Sequence, residues 1–299
     1  DYRRTRAHAG QIYASAHCSL VGWDGDANGF VTRGFAYLEE KCFRKGLGFI
    51  HRVTLDGQPL DGRIDLYDQA FILNAYGWAF RAFGDEAYLQ KATELAHLID
   101  TRLGLTAGGY KDDDTGSDQL RSNPHMHLLE AFLALYEATN DFDWLARAKQ
   151  VVELFETHFF DAKNDSVIEH FDQNWRPHSE RGQLREPGHA YEWATLLSKF
   201  ERHSGRDLKS WCNRLVARAD AVGRDPDTGF VLNCVDPSGK VIDGNRRLWP
   251  QTERLRAKLI LMDHRGLAPA EKLTAQLFDH YLADARPGLW MDEYDAAGK

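Results

Sequence analysis

Three prolines set the frame of this chain: Pro124, Pro187 and Pro250 each stand at the start of an apolar, helix-periodic run, 63 residues apart in both intervals. Proline is favoured at the first helical position, where its missing N–H leaves no bond unmade, so each is read as a helix opening. A further helix begins at Leu66-Tyr67, 57 residues before Pro124. Apolar residues at i, i+3, i+4 and i+7, as in Tyr88, Ala92, Leu95, Ala96, Ile99 and Leu103, extend the pattern. The periodicity predicts about ten helices, over 3–17, 28–44, 66–83, 86–103, 124–139, 142–159, 187–203, 207–222, 250–264 and 268–284. No long strand pattern competes with them. A unit of about 60 residues built from helix pairs points to an α/α toroid or a helical solenoid. In a closed toroid the first turns of alternate helices share one pocket.

Short aromatic, turn-rich segments separate some of the helices. Gly48–Gly57, Ser166–Asn174 and Gly229–Gly239 are expected to be small hairpins, with Gly109–Asp114 and Gly288–Gly298 weaker versions. The stretch from Gly288 leads to no further element, and both ends of the chain look cut.

Composition removes several function classes. With 43% hydrophobic and 27% charged residues the chain is not disordered. No run approaches the ~18 apolar residues of a membrane span. The net charge of −8 without a basic tract disfavours nucleic acid or an anionic membrane as partner. Cys18, Cys42, Cys212 and Cys234 lack metal-like spacing and read as free thiols, which suits a reducing, cytoplasmic location. Eight Trp hint at a ligand with flat apolar faces, such as a sugar. Among thirteen His there is no H-E-x-x-H, and His125 and His127 point to different sides of a helix. No metal is expected. Gly104–Gly109 forms no nucleotide loop and Asp112–Asp114 reads as a solvated turn, so no cofactor is expected either.

The polar first turns carry the chemistry. Glu186, His189 and Glu192 lie at i, i+3 and i+6 on one helix face, with Trp193 completing the second turn. Asn123 and His127 are i, i+4 neighbours, as are Trp249 and Glu253. Each has a bland alternative: Asn123 as an N-cap, Glu253 as a first-turn acid, Glu186 as a capping residue. Three such turns in one register favour a shared site.

The stretches Asn123-Pro-His-Met-His-Leu-Leu-Glu-Ala131, Glu186-Pro-Gly-His-Ala-Tyr-Glu-Trp193 and Arg247-Leu-Trp-Pro-Gln-Thr-Glu253 resemble the N-acylglucosamine 2-epimerase superfamily, in its mannose/sulfoquinovose isomerase and mannose 2-epimerase branch. The resemblance runs through nearly the whole chain. It implies a single all-α (α/α)6 barrel over 1–299, with hairpins at one end and the family's first and last helices absent. It also implies a metal-free enzyme acting on a monosaccharide, an aldose–ketose isomerase of the mannose/fructose type or a 2-epimerase. His189 matches the histidine that moves protons at the C1–C2 edge. Tyr67, Asn123, His127, Glu192, Trp249, Gln251 and Glu253 match positions that hold the sugar, and Glu186 lies beside them. The family's second catalytic histidine falls beyond Lys299. Where the family reads Ala-Arg before Ile12-Tyr13 this chain has Ala9-Gly10, and Arg6, one turn earlier, is the available substitute.

Isomerising an aldose needs a proton taken from carbon beside a carbonyl and returned one carbon away. A neutral imidazole, with a reference pKa of ~6.5, suits both steps. The N-terminus of its helix is expected to keep His189 neutral, while Trp249 or Trp193 stacks on the sugar. A glycoside hydrolase would instead use a carboxylate pair among Glu186, Glu192 and Glu253; a non-catalytic sugar-binding relative is the other alternative.

Overall fold

The computed structural model describes residues 1–261, 267–283, 286 and 288–298. They group into two units, one of residues 1–154 with 172–174, the other of 155–171 with 175–299.

In the first unit, six helices follow the predicted periods: α1 (Thr5–Leu20), α2 (Ala27–Tyr37), α3 (Leu66–Phe83), α4 (Glu86–Leu103), α5 (Ser122–Thr139) and α6 (Phe142–Leu154). α3 and α5 are buried almost all round, whereas α4 and α6 bury one stripe, such as Ala92, Leu95, Ala96, Ile99 and Leu103. That difference follows from packing, because α3 lies against α1, α4 and α5 at once. Boundaries follow local chemistry. The Asp65 carboxylate caps α3 by accepting the Asp68 N–H, and α3 and α5 end in left-handed residues, Gly84 and Asn140. Strands β1 (Arg3–Arg4), β2 (Phe43–Arg44), β3 (Gly48–Val53) and β4 (Pro59–Ile64) form one antiparallel sheet with β3 in its middle; β5 (Leu120–Arg121) leads into α5. The hairpin expected over Gly48–Gly57 is therefore longer, its second strand lying beyond the Gly57 turn.

In the second unit, β6 (Phe160–Asp161) pairs with β7 (Ser166–Val167), and β8 (His170–Phe171) follows. Ser166–Asn174 is thus not a self-contained hairpin. Helices α7 (Pro187–Ser204) and α8 (Lys209–Val222) come next, then β9 (Cys234–Val235), β10 (Val241–Asp243), β11 (Arg246–Arg247), α9 (Leu248–Ile260), α10 (Ala268–Leu277) and β12 (Glu293–Tyr294). The third expected hairpin is displaced: β9 pairs with β10 around the Asp236–Lys240 turn. The stretch from Gly288 does join an element, since β12 pairs with β11 and the Leu248 N–H bonds the Asp292 carbonyl. Residues 262–264 and 284 of the predicted helices lie outside the described residues.

Three predicted helices, 28–44, 142–159 and 268–284, finish as wider π turns at Leu38–Cys42, Phe155–Phe159 and Phe278–Leu282. Such turns insert one extra residue and are not visible in a 3.6 periodicity. The proline ruler also needs correction. Only Pro187 is the first residue of its helix; Pro124 and Pro250 are the third residues of α5 and α9. Asn123 therefore lies inside α5, whose N-cap is Arg121, and Glu253 falls in the second turn of α9. All four cysteines are free, and among the described residues no helix is long and apolar enough to cross a membrane.

Candidate active site

A device recurs at the start of α3, α5, α7 and α9. Each helix is entered from a residue in a β-bridge or short strand: Asp65, Arg121, Arg185 and Arg247. Four residues further on stand Gln69, His125, His189 and Gln251. The Gln69 amide donates to the carbonyls of Phe49 (2.8 Å) and Asp65 (3.1 Å) and accepts the Phe49 N–H (2.9 Å). Gln251 does the same with Val231 (2.9 and 2.7 Å) and Arg247 (2.9 Å). His125 accepts the Tyr110 N–H at Nε2 (3.0 Å), so its Nδ1–H donates to the Arg121 carbonyl (2.9 Å). Burial pushes its pKa down to about 4, which keeps it a neutral clamp. These three side chains tie the preceding loop to the helix start. Gln251, expected to hold the sugar, is corrected accordingly: it is wholly buried and its amide groups are committed to backbone.

His189 breaks the pattern. Its Nδ1 lies 3.1 Å from Glu169 Oε2, a carboxylate 20 residues upstream, the same offset that separates Phe49 from Gln69 and Val231 from Gln251. Both side chains are buried, His189 at 4% and Glu169 at 3% exposure. A backbone clamp needs no ionisable pair, so the loop tie does not explain this one. Glu186 is the N-cap of α7 but makes no side-chain capping bond; its Oε2 lies 3.7 Å from His189 Nε2 instead. Glu192 is buried on the next turn.

Burial by itself would lower the His189 pKa, but the carboxylates of Glu169, Glu186 and Glu192 outweigh it and raise the value to about 10. Against the expectation of a neutral base held by the helix N-terminus, the three carboxylates outweigh one helix dipole and favour the protonated imidazole. Nearby Cys234 is pushed up to about 11 by burial and by Glu186 and Glu169, so it stays a thiol.

The Trp249 indole lies 5.1 Å from the His189 ring, centroid to centroid. It gets there because residue 188 is glycine: a Cβ at Gly188 would meet the Trp249 ring at 2.6 Å. Gly188→Ala is therefore expected to push the indole off α7 and raise KM several-fold with a smaller change in kcat, which steady-state kinetics on the variant would check. Trp193, the other expected stacking residue, is fully buried against Phe155 and Phe159 and serves the core. Glu253 pairs with Arg256 at 3.4 Å.

The first unit assembles its own polar group. The Tyr67 ring lies 4.6 Å from the His127 ring and 5.0 Å from Phe71. The Arg6 guanidinium sits 4.9 Å over Tyr67 and 3.7 Å from Asp68 Oδ1, which places it beside an expected sugar contact. Gly10 faces open space: a Cβ there would touch nothing within 4 Å. Asn123 Oδ1 is shielded from solvent and has no hydrogen-bond partner among the described residues, an acceptor that a ligand hydroxyl would satisfy. Behind Tyr67, His51 Nδ1 bonds Asp68 Oδ2 at 2.6 Å. His51, Asp65 and Asp68 bring possible ligand atoms within 4.8 Å of one another. Arg6, Arg63 and Arg121 lie 3.7–3.9 Å from those two carboxylates and already supply positive charge there.

Glu169, His51 and Asp68 were missed in the sequence. For Glu169 the only available signal was the recurring 20-residue offset, which has meaning only once the clamps are known.

The N-acylglucosamine 2-epimerase (GlcNAc 2-epimerase) family profile matches residues 1–299. A protein of Rhizobium meliloti (strain 1021) named Mannose-6-phosphate isomerase is 32% identical over 100% of this chain and 80% of its own length. A D-mannose isomerase of Pseudomonas cannabina is 32% identical over 67% of this chain and 54% of its own, so the chain spans about half of that relative. The solved structure of a cellobiose 2-epimerase from Bacillus thermoamylovorans B4167 superposes with a TM-score of 0.88 at 21% identity, covering 100% of this chain and 81% of that one. The shared fold is the (α/α)6 barrel. With its profile matched from end to end, the chain belongs to the N-acylglucosamine 2-epimerase family.

Proposed function

We propose that this protein is a sugar isomerase that interconverts an aldose and its ketose, with mannose, free or phosphorylated, as the aldose. The single observation that carries this is the buried His189 held by Glu169 and Glu186 beside the Trp249 indole. The two relatives named for mannose supply the sugar.

A protonated His189 suits the first step. Opening the pyranose ring needs a proton at the ring oxygen while the anomeric hydroxyl loses one; Nε2 gives the first, and a neighbouring carboxylate, Glu186 or Glu192, takes the second. His189 is left neutral, its remaining proton on Nδ1 toward Glu169. Nε2 then removes the C2 proton and the electron pair moves into an enediolate; return of that proton to C1, with the O2 hydroxyl proton passing to O1, yields the ketose. Return to C2 from the opposite face yields the 2-epimer. Within the first unit Asn123, His127 and Tyr67 remain candidates for binding hydroxyls, and within the second Glu253 takes a more distant supporting position. The four free cysteines fit the cytoplasmic location expected from the sequence.

Incubation with mannose, and separately with mannose 6-phosphate, in the presence of EDTA is expected to give the corresponding fructose. Glucose as the sole product would identify an epimerase. Release of reducing ends from oligosaccharides, or turnover only after a divalent metal is restored, would overturn the reading.

A further inference from the structure

In this acidic protein most arginines sit on carboxylates, and two that do not face each other across a sheet. Arg121, Arg147, Arg185, Arg206, Arg214 and Arg246 all pair with Asp or Glu. Arg4 and Arg52 have no carboxylate within ion-pair distance among the described residues. They are also directly opposite one another in the β1–β3 register. Like charges in that position repel and weaken a sheet, and β1 is only two residues long.

Tyr2 lies between them. The Arg4 guanidinium donates to the Tyr2 hydroxyl at 2.9 Å, and the Arg52 guanidinium stands 4.7 Å from the Tyr2 ring centroid. The Arg4 hydrogen bond, with the charges of Arg4, Arg52 and Arg6, lowers the pKa of that hydroxyl, which reports a local field favouring anions. Arg52 Nε is shielded from solvent and has no acceptor among the described residues. Arg6, although paired with Asp68 at 3.7 Å, stands over the Tyr67 ring and adds its charge to the field at Tyr2. Arg4 and Arg52 present guanidinium forks of the kind that bind phosphate oxygens in pairs.

We propose that Arg4 and Arg52, with Arg6, form a recognition site for the phosphate of a hexose phosphate, so that the substrate class is a phosphorylated sugar. The inference rests on the sugar-isomerase reading for its catalytic test, but the anion site is measurable without turnover. A bound phosphate bridges the two arginines and removes their repulsion, which gives a reason for their opposition across β1 and β3.

The test uses the whole chain, wild type against Arg4→Gln/Arg52→Gln and Arg4→Lys/Arg52→Lys. Isothermal titration with inorganic phosphate is expected to show binding by wild type, weaker binding by the Lys pair and loss in the Gln pair. The ratio of kcat/KM for mannose 6-phosphate to that for mannose is expected to fall at least roughly tenfold in the Gln pair. Phosphate binding that is absent in wild type, or unchanged in the Gln pair, overturns the site. So does an unchanged kcat/KM ratio. If neither sugar turns over in wild type, the isomerase reading fails, while the phosphate titration still decides the anion site. Circular dichroism of both variants establishes that they are folded, and the Lys pair keeps the comparison valid if the Gln pair is not.

Discussion

His189→Asn is expected to lower sugar turnover by roughly 10²–10⁴-fold, the range of a lost general acid–base. The asparagine keeps some hydrogen bonding to Glu169 but has no titratable nitrogen. The thermal midpoint is expected to fall at pH 7, because the buried Glu169 carboxylate loses its cationic partner, while the fold is retained, since Gln69 and Gln251 show that an amide is accepted at this clamp position. Turnover in D2O supplies a second measurement. Wild type should place deuterium at C1 of the ketose or C2 of the recovered aldose, to the extent that the carried proton exchanges, and the variant almost none. Near-normal label exchange in the variant would falsify the assignment and shift attention to His127.

Glu169→Gln tests the partner. The groups that face His189 are Glu169 from the segment between β7 and β8 and Glu186 and Glu192 from α7, while α9 presents Trp249, which carries no charge. Removing the nearest carboxylate leaves burial less opposed, so the His189 pKa must fall from about 10. If protonated His189 opens the sugar ring, the alkaline limb of the kcat/KM profile moves to lower pH by at least about one unit. Turnover is expected to drop on the order of 10²-fold or more, as when the acid that orients a catalytic histidine is replaced by its amide. Glu169→Asp should recover part of both effects. A clamp with only a structural role would lower stability without moving the pH limb.

The same pair makes a stability prediction with a defined sign. A histidine whose folded pKa is raised contributes stability that is complete below its unfolded value of ~6.5 and is lost as pH rises through the folded value. The difference in unfolding free energy between wild type and Glu169→Gln should therefore be largest below pH ~6.5 and shrink toward pH 10. Denaturant titrations at pH 6.5 and 9.5 check this.

What the sequence by itself determined is what short-range physics encodes. Period-3.6 apolar spacing placed α3 at 66–83 and α4 at 86–103 as observed, because one-sided burial leaves a local signature. The motifs at the helix openings singled out His189, Tyr67 and His127, which lie within the first two turns of α7, α3 and α5. Periodicity could not see the π turns at Phe155–Phe159 and its two counterparts, since one inserted residue leaves the apolar stripe intact. Evenly spaced prolines suggested a single register, yet proline is tolerated anywhere in the first turn, and only the β-bridge residues Asp65, Arg121, Arg185 and Arg247 fix where each helix is entered.

Tertiary structure alone decided which polar residue is tied to the backbone and which meets a charged partner. Gln251 and His189 occupy equivalent places, and nothing in their immediate sequence separates them. Gln251 meets the backbone of Val231 and is spent there; His189 meets the carboxylate of Glu169 and keeps a proton. The charge state of His189 was likewise beyond the sequence. A helix terminus is a local feature and argued for a neutral ring, whereas the carboxylate of Glu169 reaches it only through folding, from 20 residues away. In a buried site of low dielectric such a nearby full charge outweighs the partial charge of a helix end.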